Sequence, residues 1–214
     1  MTDTVYYRCG ANEAPDARAV ERCAALLAAG GLVVFPTETV YGIGADACNA
    51  EAVRALYRAK NRPAEKPLLL HLSSRAQAER VAVLDERARA LLDRFTPGPL
   101  TLILPKRPCV PDCVTSGGDT VGLRFPSNPA AIALIERFGG PVAATSANES
   151  GAASAKNGAD AAAAFAGVAD AVIDAGPCAY GLESTILSLV GAPRILRQGA
   201  LTRAALERVI ELCG

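Results

Sequence analysis

The chain has no tryptophan, one histidine and one methionine, and its charge favours neither sign: 22 basic residues balance 22 acidic ones over 214 positions. Zero net charge leaves no global field to draw in nucleic acid, so any anion site must be built locally. No apolar run approaches membrane length, and no N-terminal stretch joins a basic start to an apolar middle; both point to a cytoplasmic protein with no membrane partner. Seven scattered cysteines, an odd number, argue against a disulfide framework. Cys109 and Cys113 are the only close pair. Zinc needs four ligands, and no second Cys/His pair lies nearby. Cys23 and Cys213 fall on apolar helical faces and read as core filler.

Motifs are missing too. There is no Gly-x-x-x-x-Gly-Lys-Ser/Thr, which excludes a Walker-type phosphate loop, and no Gly-x-Ser-x-Gly elbow, which weakens a hydrolase reading. Gly42-Ile43-Gly44-Ala45-Asp46-Ala47 matches Gly-x-Gly-x-x-Ala. However, residues 36–41 separate it from the preceding strand, where a dinucleotide fingerprint needs a tight strand-to-helix turn.

What is present alternates strand and helix signals. Helix periodicity over 17–29 stops at Gly30-Gly31, and Gly31 to Phe35 reads as a short buried strand ended by Pro36. Asn49 is placed to cap a helix carrying Val53, Leu56 and Tyr57 inward, ending near Asn61 before Pro63. Strands are expected over 68–72, 100–104, 120–125, 141–145, 171–173, 184–189 and 194–197. Helices are expected around Ala88 to Phe95, after Asn128-Pro129, and from Thr202 through Ile210. Residues 149–159 read as a mobile loop over a site. The fold class is α/β, a twisted open mixed sheet flanked by helices, in a single domain over 1–214.

Polar groups gather where these elements end. Thr37, Glu38, Thr39 and Tyr41 follow the first strand, where an α/β protein grips a small polar ligand. Lys60, Arg62 and Lys66 share a proline-stiffened loop; a fork-shaped arginine and a mobile lysine suit a polyphosphate, and a solvated surface loop is the alternative. Arg124 shares a strand face with Thr120 and Gly122. If that face is covered, the guanidinium needs a partner: a substrate carboxylate or a structural ion pair satisfies it, and an exposed face is the third option. Thr145-Ser146-Ala147-Asn148, Glu183-Ser184-Thr185 and Arg197-Gln198-Gly199 add further polar rims, and His71 stands alone in an apolar strand.

The ordered blocks PTETVYGIG (36–44), KNRPAEKPLLLHL (60–72), PGPLTLIL (97–104), DTVGLRFP (119–126), SANESGAAS (146–154), ESTIL (183–187) and ILRQGALT (195–202) resemble the YrdC family, the threonylcarbamoyl-AMP synthases. The resemblance implies a YrdC-like sheet with a large basic groove, in the short form without a second C-terminal domain. It implies the reaction of L-threonine, bicarbonate (or CO2) and ATP to threonylcarbamoyl-AMP and pyrophosphate, with Mg2+ held through the ATP phosphates. A separate transferase would then carry the group to tRNA. It implies no covalent nucleophile. By the match, Lys60, Arg62, Lys66, Thr120, Ser146, Asn148, Ser154 and Arg197 look like the ATP shell. Thr37, His71, Arg124, Ala144 and Ser184 look like the threonine pocket, with Arg124 on the carboxylate. Ile43 replaces the commoner leucine, and Thr145 and Gln198 stand where proline is usual. Two alternatives are an RNA-binding relative without synthase activity and the carbamoyl-adenylate domain of hydrogenase-maturation proteins.

Overall fold

In the computed structural model, which describes residues 3–149 and 151–213, ten strands form one mixed sheet in the order β1-β8-β2-β3-β7-β4-β6-β5-β9-β10. Its strands are β1 (Val5–Arg8), β2 (Val33–Phe35), β3 (Gly42–Asp46), β4 (Leu69–His71), β5 (Leu100–Pro105), β6 (Thr120–Arg124), β7 (Val142–Ser146), β8 (Ala171–Asp174), β9 (Thr185–Ser188) and β10 (Arg194–Arg197). The helices are α1 (Ala17–Ala28), α2 (Ala50–Ala59), α3 (Arg75–Val81), α4 (Glu86–Phe95), α5 (Asp112–Thr115), α6 (Pro129–Phe138), α7 (Gly158–Phe165) and α8 (Arg203–Leu206). Among the described residues, no helix is long and apolar enough to cross a membrane.

Local chemistry explains the helix boundaries. Asp16 starts α1 by accepting from the backbone of Arg18 and Ala19 at 2.9 and 3.0 Å, and Asn49 starts α2 by accepting from Glu51 and Ala52. Asn128 caps α6 with Pro129 at its first turn, and Gly139 (φ 79°) ends that helix in the left-handed region.

Several expectations need correcting. Residues 42–46, to which the sequence pattern assigned no element, are a strand paired to β2 on one side and β7 on the other. The glycines there serve packing. A Cβ at Gly44 would come within 2.6 Å of Val142 and 3.0 Å of Phe35. Where one helix is expected, around Ala88 to Phe95, the chain after Ser74 forms two, α3 and α4, each with its own capping side chain, Ser74 and Asp85. The final helix is a single turn, α8, and Cys213 is exposed rather than core. Segment 149–159 is not a free loop: the Ala155 carbonyl accepts from Tyr41 N at 2.9 Å, and Asn157 caps α7. Ser150 of that segment lies outside the described residues.

The sheet is covered unequally. On one face an extended apolar cluster packs α2, α4 and α7 (through Leu56, Leu91 and Phe165) against strand residues such as Ile43, Leu70 and Leu123. On the other, α1 and α6 cover only the β8–β2–β3–β7 side, with Leu27 and Leu134 against Val33, Phe35 and Val142. That cluster takes in no residue of β4, β6, β5 or β9, and there the sheet is left as the floor of a hollow.

Candidate functional site

The floor follows from the pairing register. One row crosses the strands as Gly44, Ala144, Leu69, Gly122 and Ile103; the next runs His71, Arg124, Thr101 and Ile186. Small residues keep the middle low. A Cβ at Gly122 would come within 2.5 Å of Leu69 and 3.1 Å of Ile103. The result is an open cavity of about 500 Å³, within the usual size for small-molecule sites.

All five residues expected for threonine line this cavity: Thr37, His71, Arg124, Ala144 and Ser184. Of the eight expected for ATP, Arg62, Lys66, Ser146 and Arg197 line it, whereas Lys60, Thr120, Asn148 and Ser154 do not. Thr120 lies at the far start of β6, opposite Pro105. Lys60 and Asn148 instead bond to Ser146, and Ser154 bonds to Glu183, both of which line the cavity.

Arg124 is 5% exposed, and its partner is Glu38, which the sequence places among the polar groups after the strand but does not single out as an ion-pair partner. Its Nη2 donates to Glu38 Oε1 at 2.9 Å, to Thr37 Oγ1 at 3.2 Å and to Thr39 Oγ1. The other Glu38 oxygen accepts from Ser127 N at 2.9 Å. The structural ion pair is therefore present, while Arg124 Nε stays buried without a partner. Thr37 Oγ1 donates to the Val40 carbonyl at 2.6 Å and accepts from the amides of Thr39 and Val40, which fixes the turn that presents Glu38.

His71 stacks edge-on against Phe35, with ring centroids 5.8 Å apart. Its Nδ1 is buried with no partner. Burial, aided by the Arg124 charge, pushes its pKa down to about 3, so the imidazole is neutral at physiological pH. Ser184 Oγ lies 2.8 Å from Thr101 Oγ1.

The lysine of the basic loop is drawn inward. Lys60 Nζ donates to the Ser146 carbonyl and, at 3.0 Å, to Asn148 Oδ1, both neutral acceptors. Burial, then the nearby Arg62 charge, push its pKa down to about 8, while Glu183 pulls it back up. Arg62 donates to the carbonyls of Lys66 and Pro67 at 2.9 and 2.8 Å, and to Thr145 Oγ1 at 3.3 Å. It thus shapes the loop as well as facing the cavity. Lys66 is exposed on the cavity wall. Arg197 pairs with Glu183 and donates to the Ser184 carbonyl at 3.0 and 3.2 Å. Ser154 Oγ donates to the other Glu183 oxygen at 2.9 Å.

Four cations (Arg62, Lys66, Arg124 and Arg197) and two carboxylates (Glu65 and Glu183) therefore share one hollow with several hydroxyls. Sequence reasoning placed Glu38 and Glu183 in polar rims but missed their pairing with Arg124 and Arg197. The available signal was a carboxylate beside a hydroxyl at a strand end, which is a weak pattern.

A mixed α/β sheet whose strand ends converge cations and hydroxyls on one hollow is an arrangement suited to small anionic molecules. The particular family follows from comparison. The family model Sua5/YciO/YrdC, described as Telomere recombination, matches residues 25–199, and the chain belongs to that family. The chain is similar to the threonylcarbamoyl-AMP synthase of Bacillus subtilis, 44% identical over 197 residues, covering 89% of this chain and 56% of that protein. It is 45% identical to the threonylcarbamoyl-AMP synthase of Pyrococcus abyssi over 183 residues, covering 85% and 54%. The structure of P. abyssi Sua5 complexed with L-threonine superposes with a TM-score of 0.92 at 41% identity, over 98% of this chain and 61% of that one. The chain thus spans about half the length of these curated relatives.

Proposed function

We propose that this chain binds ATP and L-threonine in this one cavity together and, with bicarbonate or CO2, makes threonylcarbamoyl-AMP and pyrophosphate for threonylcarbamoyladenosine modification of tRNA. The observation that carries this is convergence. Residues 37, 62, 71, 124, 184 and 197, far apart in sequence, line one hollow. The names of the B. subtilis and P. abyssi relatives, and the threonine complex of the latter, support the same reading.

The chemistry joins anions: the threonine amine attacks the carbon of CO2, releasing a proton, or of bicarbonate, releasing water, and the carbamate oxygen then attacks the α-phosphorus of ATP, expelling pyrophosphate. Fixed donors and exclusion of water serve such steps better than a covalent nucleophile does. Arg124, held by Glu38 and retaining an unpartnered Nε, takes the threonine carboxylate, and neutral His71 and Ser184 meet its polar groups. Arg62, Lys66 and Arg197 form the basic side that receives the phosphates, with Lys60 behind Ser146 and Asn148. The cavity's two carboxylates are too few to build an Mg2+ cage, a donor set that suits a metal brought in on the nucleotide. When bound, Mg2+ would screen the phosphate charge. The product passes to a separate transferase.

Pyrophosphate release from ATP tests the reading. It should require both L-threonine and bicarbonate. Salt-dependent RNA affinity without threonine-dependent release would favour the RNA-binding alternative instead.

A further inference from the structure

The two edges of the sheet are built differently. β10 closes one end with a register shift between Ile195 and Arg197 and carries an arginine at each of its ends. Bulges and edge charges discourage pairing with another strand. β1 closes the other end and has no such shift: Val5, Tyr6, Tyr7 and Arg8 run in unbroken register with β8. Among the described residues no strand pairs on its far side. Val5 and Tyr6 are exposed there, and so is Val168, which lies between the two residues bonded to the Thr4 side chain. An apolar edge without proline, lysine or bulge is a template for a further strand.

The hydrogen-bond phase decides which strand fits. Val5 N donates to the Asp170 carbonyl at 3.0 Å and Cys9 N to the Asp174 carbonyl at 2.9 Å. In a parallel ladder alternate residues bond to the neighbour, so the amides and carbonyls of Thr4, Tyr6 and Arg8 point outward. A two-fold axis perpendicular to the sheet at Tyr6 lays the same edge of a second copy antiparallel against this one. Tyr6 then meets the second copy's Tyr6, and Thr4 meets its Arg8. Every outward group of the three residues finds a partner, about six bonds in all. Between them Val5 falls opposite Tyr7, a β-branched residue against an aromatic ring, and no like charges oppose each other.

We infer that β1 is a self-association edge, through which two copies of this chain form a symmetric dimer with one continuous sheet. Each copy offers one such edge, so the assembly closes at two. The cavity floor on β4, β6, β5 and β9 lies towards the other end of the strand order, so pairing leaves it open. Because the axis is perpendicular to the sheet, both cavities face the same side of the dimer.

Analytical ultracentrifugation across protein concentrations tests this with wild type, Tyr6→Lys, Tyr6→Pro and Leu196→Lys. Wild type should pass from monomer to dimer and stop there, and Leu196→Lys, on the opposite edge, should do the same. Tyr6→Lys sets two ammonium groups against each other at the axis, and Tyr6→Pro removes an amide that the protomer itself does not use. Each should weaken association by about tenfold or more. Proline is tolerated on an edge strand where the N–H faces outward, and the lysine variant decides should the proline variant not fold. Amide hydrogen exchange reads the register. As concentration rises, Tyr6 and Arg8 should gain protection, while Val5 and Tyr7, already bonded to β8, should change little. Wild type that stays monomeric, an assembly that grows beyond two, a dimer that survives the Tyr6 variants, or protection gained at β10 instead would each overturn the inference.

Discussion

Arg124 and Lys60 are both cations withdrawn from water, 5% and 3% exposed, yet their surroundings differ. Arg124 faces the Glu38 carboxylate, which is equally buried, with three hydroxyl and amide groups completing the cluster. Lys60 meets only neutral oxygens, and its partial counter-charge, Glu183, is committed to Arg197. The end of the cavity proposed for threonine is thus a permanent, internally compensated pair. The end proposed for nucleotide holds a charge whose presence depends on pH. A zwitterionic substrate needs a fixed frame with little net charge, whereas a triphosphate can stabilise a lysine that the empty site penalises.

The largest expected effect breaks the compensated end. Arg124→Ala leaves Glu38 buried without its counter-ion, a change that typically costs about 3–5 kcal/mol. For a chain of this size that corresponds to a fall in Tm of roughly 6–20 °C. The double variant Arg124→Met with Glu38→Leu should recover much of that Tm in thermal denaturation while remaining unable to use threonine. A small fall in the single variant would show that the pair is not the keystone of its end.

Lys60→Met should behave in the opposite way. The folded lysine has its pKa lowered from 10.5 to about 8. The unfolded chain therefore binds more protons between those values, and wild-type stability from this group rises with pH across that window. Methionine removes the burden, so the variant should be at least as stable as wild type below pH 8. It should also lose roughly tenfold to a hundredfold in ATP affinity, the scale of a charge-assisted contact. Chemical denaturation at pH 7 and 10 checks the first half.

The smallest effect concerns His71. Its folded pKa of about 3 lies below the ordinary 6.5, so the unfolded state takes up the proton first. Stability present above pH 6.5 is lost as pH falls towards 3. His71→Asn should flatten part of that acid slope. Activity should show no inflection from His71 between pH 5 and 8.

Much of this was legible in the chain. Short β-branched runs bounded by glycine and proline gave most strands, and Asn49, Asn128 and Thr202 marked helix starts because their side chains cap free amides. Strand β3 was not legible: Gly42 and Gly44 signal a turn locally, and only the crowding of Phe35 and Val142 in the assembled sheet explains them. The break between α3 and α4 was hidden for a similar reason, since apolar spacing continues across it while the capping Asp85 resets the backbone. In the site, hydroxyls and cations stood out by type. Their partners Glu38 and Glu183 did not, because pairing across 86 and 14 residues is a property of the register and not of the local pattern.

The central claim is that one cavity holds two differently built ends, and titration calorimetry of L-threonine and of ATP against Arg124→Lys and Lys60→Met tests it most directly. The account predicts a crossed result. Arg124→Lys loses threonine binding and keeps ATP within a few-fold, and Lys60→Met does the reverse. Equal loss of both ligands in both variants, in proteins that remain folded, would contradict it.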